Sequence, residues 1–120
     1  MDTKTKLLYV DDEEMNVFLF EMNFSTKYEV YVARSGMEGL EVLDKNPDIE
    51  VVISDMKMPV MTGLEFVKLV KEKYSNIKCY ILSGYELNEE IQSAVDSKLI
   101  EHYFRKPMIT QDIERIISGS

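Results

Sequence analysis

A run of strand-forming residues, Val51-Val52-Ile53-Ser54, leads directly into an aspartate, Asp55, near the middle of the chain. Short apolar runs of this kind recur along the sequence, and longer segments whose apolar residues have helical spacing separate them. Five runs predict strands, at residues 6–10, 29–33, 51–54, 78–82 and 102–104. Strands and helices are therefore expected to alternate along the chain.

Acidic residues at positions 11–14 precede the first predicted helix, where their charge suits the positive end of the helix dipole. The apolar residues that this helix carries at helical spacing are Met15, Phe18, Leu19 and Met22. The second helix is predicted over residues 37–44, because Asn46 and Pro47 end it.

Each of the last three predicted helices has an apolar stripe. The third follows Thr62 and Gly63, the fourth covers about residues 88–98, and the fifth has Thr110 as its N-cap. The stripes are Leu64, Val67, Leu69 and Val70 in the third helix, Ile91, Ala94 and Val95 in the fourth, and Ile109, Ile113, Ile116 and Ile117 in the fifth. We expect the last stripe to face the sheet.

Strict alternation of strands and helices predicts an α/β fold with a parallel sheet, because each parallel pair of strands needs a covering crossover connection. The simplest arrangement is a doubly wound, flavodoxin-like (βα)5 sheet with helices on both faces and the strand order 2-1-3-4-5. No internal repeat or linker interrupts the 120 residues, so we expect a single domain over residues 1–120.

Composition argues against several classes of function. The formal net charge of −8, from 14 Lys and Arg against 22 Asp and Glu, works against direct nucleic-acid binding. The single cysteine, Cys79, cannot form an internal disulfide, and the sequence has neither a signal peptide nor an apolar stretch of about 20 residues. We expect a cytoplasmic protein that binds neither nucleic acid nor a membrane.

Reactive side chains follow four of the five predicted strands. Strand one ends in Asp11 and Asp12, strand three in Asp55, strand four in Ser83 and strand five in Lys106. Each residue alone has an ordinary alternative as a helix cap, a turn residue or a solvated loop residue. Ligands of open α/β sheets bind at the carboxyl ends of the strands, however, so all five side chains should converge on one edge.

Three carboxylates at one sheet edge repel each other and raise each other's pKa unless a cation lies between them. Mg²⁺ suits such a cluster, because it takes hard oxygen ligands and binds through one or two carboxylates together with phosphate oxygens. Asp55 could then act as a nucleophile that forms an acyl phosphate. Ser83 could donate a hydrogen bond to one phosphoryl oxygen, and Lys106 could place a positive charge near another.

Four motifs contain these residues. They are Leu-Leu-Tyr-Val-Asp-Asp-Glu-Glu at 7–14, Ser-Asp-Met-Lys-Met-Pro-Val-Met-Thr-Gly at 54–63, Leu-Ser-Gly-Tyr at 82–85 and Tyr-Phe-Arg-Lys-Pro at 103–107. In order and spacing they resemble the motifs of the response-regulator receiver domain of bacterial two-component signalling, in its single-domain, chemotaxis-regulator-like form. The resemblance covers nearly the whole chain.

The resemblance implies a role for each residue of the site. Asp55 would accept a phosphoryl group from a sensor histidine kinase or a phosphotransfer protein, and Lys106 would contact the phosphate. Asp12 would bind Mg²⁺ directly and Asp11 mainly through water. The backbone carbonyl of Lys57 would be a further ligand of the ion, beside Asp55.

The resemblance also implies a switch. A phosphoryl group, of about −1.5 to −2 charge, would draw Ser83, the switch hydroxyl, toward itself, and Tyr103, the switch aromatic, would rotate into the space behind it. The face of helix four, strand five and helix five would then bind an unknown downstream protein, and a phosphorylation-dependent homodimer is equally open. The chain differs from the commonest sequence of the family at residues 97–102, which replace a turn of small residues. The bulky residues Lys57 and Tyr85 flank the site.

Two other functions stay open. A small phosphatase or phosphotransferase could use an aspartyl phosphate, but its usual sign is a second Asp two residues after the nucleophile, where this chain has Lys57. A degenerate receiver could be an interaction scaffold only, which requires the loss of a catalytic position. We expect a regulatory switch that catalyses only its own phosphorylation and dephosphorylation, and no enzyme beyond that. It could act alone or as the receiver part of a longer protein.

Overall fold

The computed structural model describes residues 4–84 and 88–118, over which five strands and five helices alternate. The strands are β1 Thr5–Val10, β2 Tyr28–Ala33, β3 Val51–Asp55, β4 Lys78–Ser83 and β5 His102–Arg105. The helices are α1 Glu14–Phe24, α2 Gly36–Lys45, α3 Gly63–Lys73, α4 Glu89–Asp96 and α5 Thr110–Ile117. Within the described residues, no helix is long and apolar enough to cross a membrane.

All five strands are parallel and lie in the order β2-β1-β3-β4-β5, which confirms the predicted flavodoxin-like topology. The central strand β3 pairs with β1, where Val10 lies opposite Ser54, and with β4, where Asp55 lies opposite Leu82. Every residue of β3 is buried, as expected for a strand that helices cover on both faces. The carboxyl ends of the strands therefore meet at one edge of the sheet.

Alternate residues of each strand supply two hydrophobic cores, one on each face of the sheet. Leu7 and Tyr9 of β1 lie in the first core, together with side chains of α1 and α5. Leu8 and Val10 lie in the second core, together with side chains of α2, α3 and α4. The helices are thus divided two and three between the faces, and the sheet edge between them stays open.

Helix α1 packs through a face that the sequence did not indicate. Its buried residues are Val17, Phe20 and Phe24. The four apolar residues predicted at helical spacing are between 41% and 65% exposed, and they are Met15, Phe18, Leu19 and Met22. Both sets have helical spacing, so periodicity does not distinguish them. Packing does, because the Phe20 ring stacks on Tyr9 and on Phe24, with centroids 4.1 and 4.3 Å apart.

Three smaller predictions were also wrong. Leu69 of α3 is 39% exposed, because it lies beside the stripe that Phe66 and Val70 complete. Thr110 is the first residue of α5, and the N-cap is Ile109, which makes no side-chain cap hydrogen bond. Ile109 is 52% exposed, since it precedes the helix, whereas the other isoleucines of its stripe pack against the first core.

Helix α4 buries Ile91 and Ala94 as expected, while Val95 is half-buried and packs against the second core. The helix ends in a turn that ordinarily favours glycine. The N–H of Leu99 donates to the carbonyl of Ala94 at 2.9 Å, and that of Lys98 donates to Val95 at 3.0 Å, which is a Schellman pattern. Lys98 is exposed and has φ 65°, in the left-handed region. A residue with a Cβ costs about 1–2 kcal/mol in that conformation.

We predict that Lys98→Gly stabilises the domain by about 0.5–1 kcal/mol, because relief of backbone strain outweighs the added chain entropy of glycine. The free energy of unfolding in urea measures the change. The matched control is Lys68→Gly on the exposed side of α3, where the backbone is helical and glycine should destabilise by about 1 kcal/mol. Equal destabilisation by both variants would contradict the left-handed conformation of Lys98.

Candidate functional site

The carboxyl ends of the strands form an open cleft with a volume of about 690 Å³. Asp12, Asp55, Ser83 and Lys106 line the cleft, and Lys57 lies beside them. Asp11 is fully buried behind it. The structure therefore brings together the residues that follow four separate strands, as their positions in the sequence predicted.

Three carboxylates form an acidic cluster in this cleft. Oxygens of Asp11, Asp12 and Asp55 all lie within 4.8 Å of one another. Asp11 and Asp55 are buried, and Asp12 is partly exposed. Hard oxygen donors at this separation fit a divalent cation such as Mg²⁺, which keeps further positions for water and phosphate oxygens. The cluster could therefore hold a metal ion.

Lys106 is the cation that the fold places against this cluster. Its Nζ lies 3.1 Å from Oδ1 of Asp55 and 3.9 Å from Oδ2 of Asp11. The backbone N–H of Lys106 donates to the carbonyl of Ser83 at 2.7 Å, which ties the end of β5 to the end of β4. The peptide bond between Lys106 and Pro107 is cis. Lys106 thus offsets part of the negative charge at Asp55.

Gly63 allows α3 to begin directly against the carboxyl end of β3. A Cβ on Gly63 would lie 2.3 Å from the carbonyl oxygen of Asp55, a distance that no side chain can occupy. The Gly63 N–H donates to the carbonyl of Met56 at 2.8 Å, and Thr62 and Glu65 form a capping box at the helix start. The backbone around Asp55 is therefore held on both sides.

The pKa of Asp55 is raised from 3.8 to about 6, and burial is the largest cause. The negative charge of Asp11 contributes to this rise, while the hydrogen bond and charge of Lys106 oppose it. Asp55 is therefore ionised at pH 7, although its surroundings disfavour the charged form. A buried carboxylate in this state is stabilised by any positive charge added beside it.

Two residues that the sequence analysis did not identify contact Asp11 and Asp12. The hydroxyl of Tyr9 donates to Oδ2 of Asp11 at 2.6 Å, and burial together with the charge of Asp11 raises the pKa of Tyr9. Arg34 donates from Nη2 and Nε to the carbonyl oxygen of Asp12 at 2.7 and 3.3 Å. Asp11 directly follows β1, two residues after Tyr9, and the alternation of side chains along a strand is a signal that could have found this pair. Arg34 comes from a distant loop and carried no such signal.

The two residues that the resemblance predicts as the switch differ in their surroundings. Ser83 is buried at the end of β4, in the wall of the cleft. Tyr103 is half-buried on β5, opposite Ile81, and packs against the second core. Tyr85, which was predicted to flank the site, lies outside the described residues.

Residues 7–118 match the family model of the response regulator receiver domain. The chain belongs to this family. The resemblance that four motifs indicated is thereby confirmed. The same family has members in which the receiver domain is only one part of a longer protein: this chain spans 12% to 54% of the length of three of its curated relatives.

The chain is similar in sequence to two curated relatives and in structure to one solved protein. The receiver domain is 33% identical over 113 residues to sporulation initiation phosphotransferase F of Bacillus subtilis (strain 168), covering 92% of this chain and 86% of that protein. It is 31% identical over 108 residues to the hydrogenase transcriptional regulatory protein HoxA of Cupriavidus necator, covering 90% of this chain and 22% of that protein. The structure of the chemotaxis protein CheY4 of Vibrio cholerae matches with a TM-score of 0.88 and 28% identity, covering 97% of this chain and 98% of that one.

We predict that Asp55→Asn stabilises the receiver domain at pH 7.5 without divalent metal, by an amount of the order of 2 kcal/mol. Folding raises the pKa of Asp55, so its ionisation destabilises the folded state as the pH rises from about 4 to above about 6. The gain should therefore shrink toward zero at pH 4, where Asp55 of the wild type is protonated.

Thermal and urea unfolding in EDTA at several pH values measure this gain. Glu41→Gln, which removes an exposed carboxylate from α2, is the matched control and should change stability by less than about 0.5 kcal/mol. A gain from Asp55→Asn that is as large at pH 4 as at pH 7.5 would refute charge as its cause.

Proposed function

We propose that this receiver domain is a phosphorylation-dependent signalling switch that accepts a phosphoryl group on Asp55. The observation that carries the proposal is the setting of the Asp55 carboxylate, which lies 3.1 Å from Lys106 Nζ and within 4.8 Å of two further carboxylates. A carboxylate between a cation and a metal-binding acidic pair is suited to attack phosphorus, because both neighbours can neutralise the charge of the phosphoryl oxygens.

Mg²⁺ is the proposed cofactor, held by the carboxylates of Asp11, Asp12 and Asp55 and by the backbone carbonyl of Lys57. When bound it would offset the repulsion among the acids and neutralise charge on the phosphoryl group. Asp12 lines the cleft, which supports a direct contact. Both oxygens of Asp11 already accept hydrogen bonds, from Tyr9 and from the N–H of Glu13, which supports a contact through water.

In the transfer step, a carboxylate oxygen of Asp55 attacks the phosphorus of the donor. The bond from phosphorus to the donor atom breaks, that atom keeps the electron pair, and Asp55 carries an acyl phosphate. Lys106 would attract one phosphoryl oxygen by charge, and the Ser83 hydroxyl would donate a hydrogen bond to another. Attack by water later releases inorganic phosphate and restores the carboxylate. We propose that this self-catalysed cycle is the only chemistry of the domain.

The proposed donor is a sensor histidine kinase or a phosphotransfer protein. Among the relatives, one is named a sporulation initiation phosphotransferase and another a sensor histidine kinase, which supports a place in phosphoryl transfer between proteins. A cytoplasmic location stays a prediction from the single cysteine, Cys79, which is buried as a free thiol.

Output is proposed through the face of α4, β5 and α5. Ser83 on β4 and Arg105 on β5 are paired in register, and Tyr103 lies two residues earlier on the same strand. Because β4 and β5 are neighbours, a shift of Ser83 toward a phosphoryl group would change the packing around Tyr103. The occupant of this face is a downstream protein, with a phosphorylation-dependent homodimer as the other candidate.

The two other functions have less support. Lys57 lines the cleft two residues after Asp55, where an aspartyl-phosphate phosphatase would need a general acid. An interaction scaffold that is not phosphorylated would not require Asp55, Ser83 and Lys106 to lie together. The switch accounts for every one of these residues.

We predict that acetyl phosphate with Mg²⁺ adds one phosphoryl group to the wild type and none to Asp55→Asn, because the amide is not a nucleophile. Intact-mass spectrometry measures the gain, and EDTA should abolish it. Asp96→Asn, which removes an exposed carboxylate of α4, is the matched control and should be phosphorylated normally. A gain that survives in Asp55→Asn would refute the assigned acceptor, and no gain in the wild type would favour the scaffold.

Exposed apolar side chains of α1 support a protein as the phosphoryl donor. Met15, Phe18, Leu19 and Met22 make up half of the large exposed hydrophobic residues of the described chain. Helix α1 begins two residues after Asp12, and Leu19 lines a small cavity of about 250 Å³ together with Lys106 and Met108. Contiguous exposed apolar area of this kind marks interaction sites. This α1 patch lies where a donor would dock to reach Asp55.

We predict that the double variant Phe18→Gln/Met22→Gln reduces phosphorylation by a histidine kinase that phosphorylates the wild type by about 10-fold or more, through loss of apolar contact. Phosphorylation by acetyl phosphate should not change, since both residues are exposed and outside the cleft. The initial rate of transfer from the autophosphorylated kinase measures the effect. Leu69→Gln, an exposed leucine on α3, is the control, and equal losses in both variants would contradict docking on α1.

A further inference from the structure

Tyr9 is a buried tyrosine directly behind the acidic cluster. It is 1% exposed on β1, and its ring stacks on Phe20 with centroids 4.1 Å apart and an angle of 5° between the planes. Asp11 directly follows β1, two residues after Tyr9, and the Tyr9 hydroxyl donates to its Oδ2 at 2.6 Å. The stack with Phe20 leaves the hydroxyl little freedom to point elsewhere.

The Asp11 carboxylate depends on hydrogen bonds from the protein for its solvation. It is 0% exposed, so water does not solvate its carboxylate from outside the protein. Oδ1 accepts from the N–H of Glu13 at 3.0 Å, and Oδ2 accepts from Tyr9. One donor on each oxygen fixes both the position of the carboxylate and its rotation.

Lys106 is the rival donor for the same oxygen. Its Nζ lies 3.9 Å from Oδ2 of Asp11, beyond hydrogen-bond distance, and 3.1 Å from Oδ1 of Asp55. Without the Tyr9 hydrogen bond, the buried Asp11 carboxylate would attract the Lys106 ammonium group. Among the described residues of the cluster, Lys106 is the charged donor that lies nearest to it. Tyr9 therefore satisfies Asp11 without a charge and leaves Lys106 with Asp55.

We propose that Tyr9 is a positioning residue for the cation site, whose hydroxyl holds Asp11 in the orientation that Mg²⁺ binding requires. The proposal rests on the proposed function, since it takes the acidic cluster to be the Mg²⁺ site. Partners that hydrogen-bond to metal-binding carboxylates orient them, and their loss commonly lowers metal affinity by about 10–100-fold. Tyr9 has the geometry of such a partner.

The test is Tyr9→Phe, which removes the hydroxyl and keeps the ring that stacks on Phe20. Isothermal titration calorimetry with MgCl₂ should show a dissociation constant for Mg²⁺ raised by about 10-fold or more. Tyr80→Phe is the matched control, because Tyr80 is also buried in the first core but lies near the start of β4, away from the cleft. Its Mg²⁺ affinity should equal that of the wild type.

A double variant separates positioning from general damage to the fold. In an Asp11→Asn background, Tyr9→Phe should lower Mg²⁺ affinity no further, because its effect passes through the Asp11 carboxylate. An unchanged or lower dissociation constant for Tyr9→Phe overturns the proposal, and so does an equal loss in the Asp11→Asn background. If the wild type itself binds no Mg²⁺, the proposed function loses its cofactor and this proposal fails with it, an outcome that the wild-type titration alone identifies.

Discussion

The crowding of three carboxylates at one edge of a parallel sheet is the constraint on which the rest of the site depends. Strands β1 and β3 are hydrogen-bonded neighbours with Val10 opposite Ser54, so the acids that follow them must meet. Burial of Asp11 and Asp55 removes the water that would screen their charges. The contacts of Lys106 with Asp55 and of Tyr9 with Asp11 each relieve part of this repulsion.

The relief is divided among groups from separate elements. Lys106 arrives from the end of β5 and faces Asp55, while Tyr9 lies within β1 and satisfies Asp11. Arg34 arrives from the loop before α2 and holds the backbone of Asp12. None of these contacts removes a charge from the acids, so the cluster remains negative and keeps its capacity for a cation.

The acidic cluster costs this domain some stability. Asp55 has a raised pKa because a carboxylate that is buried beside other acids is poorly solvated, and this lowers the stability of the folded state at neutral pH. The exposed apolar residues of α1 are a similar case, since burying them would stabilise the domain further. The two hydrophobic cores that enclose the sheet compensate for both.

Alternation of strands and helices could be read from the sequence, because the two periodicities of apolar residues are local, and parallel strands leave few topologies. The convergence of Asp11, Asp55 and Lys106 followed from that topology alone. The buried face of α1 did not, because two apolar stripes with the same spacing compete there and only contact with the sheet selects one. The contacts of Tyr9 and Arg34 with the acidic pair were also decided by tertiary structure, since a hydrogen bond depends on where side chains end in space and not on their order along the chain.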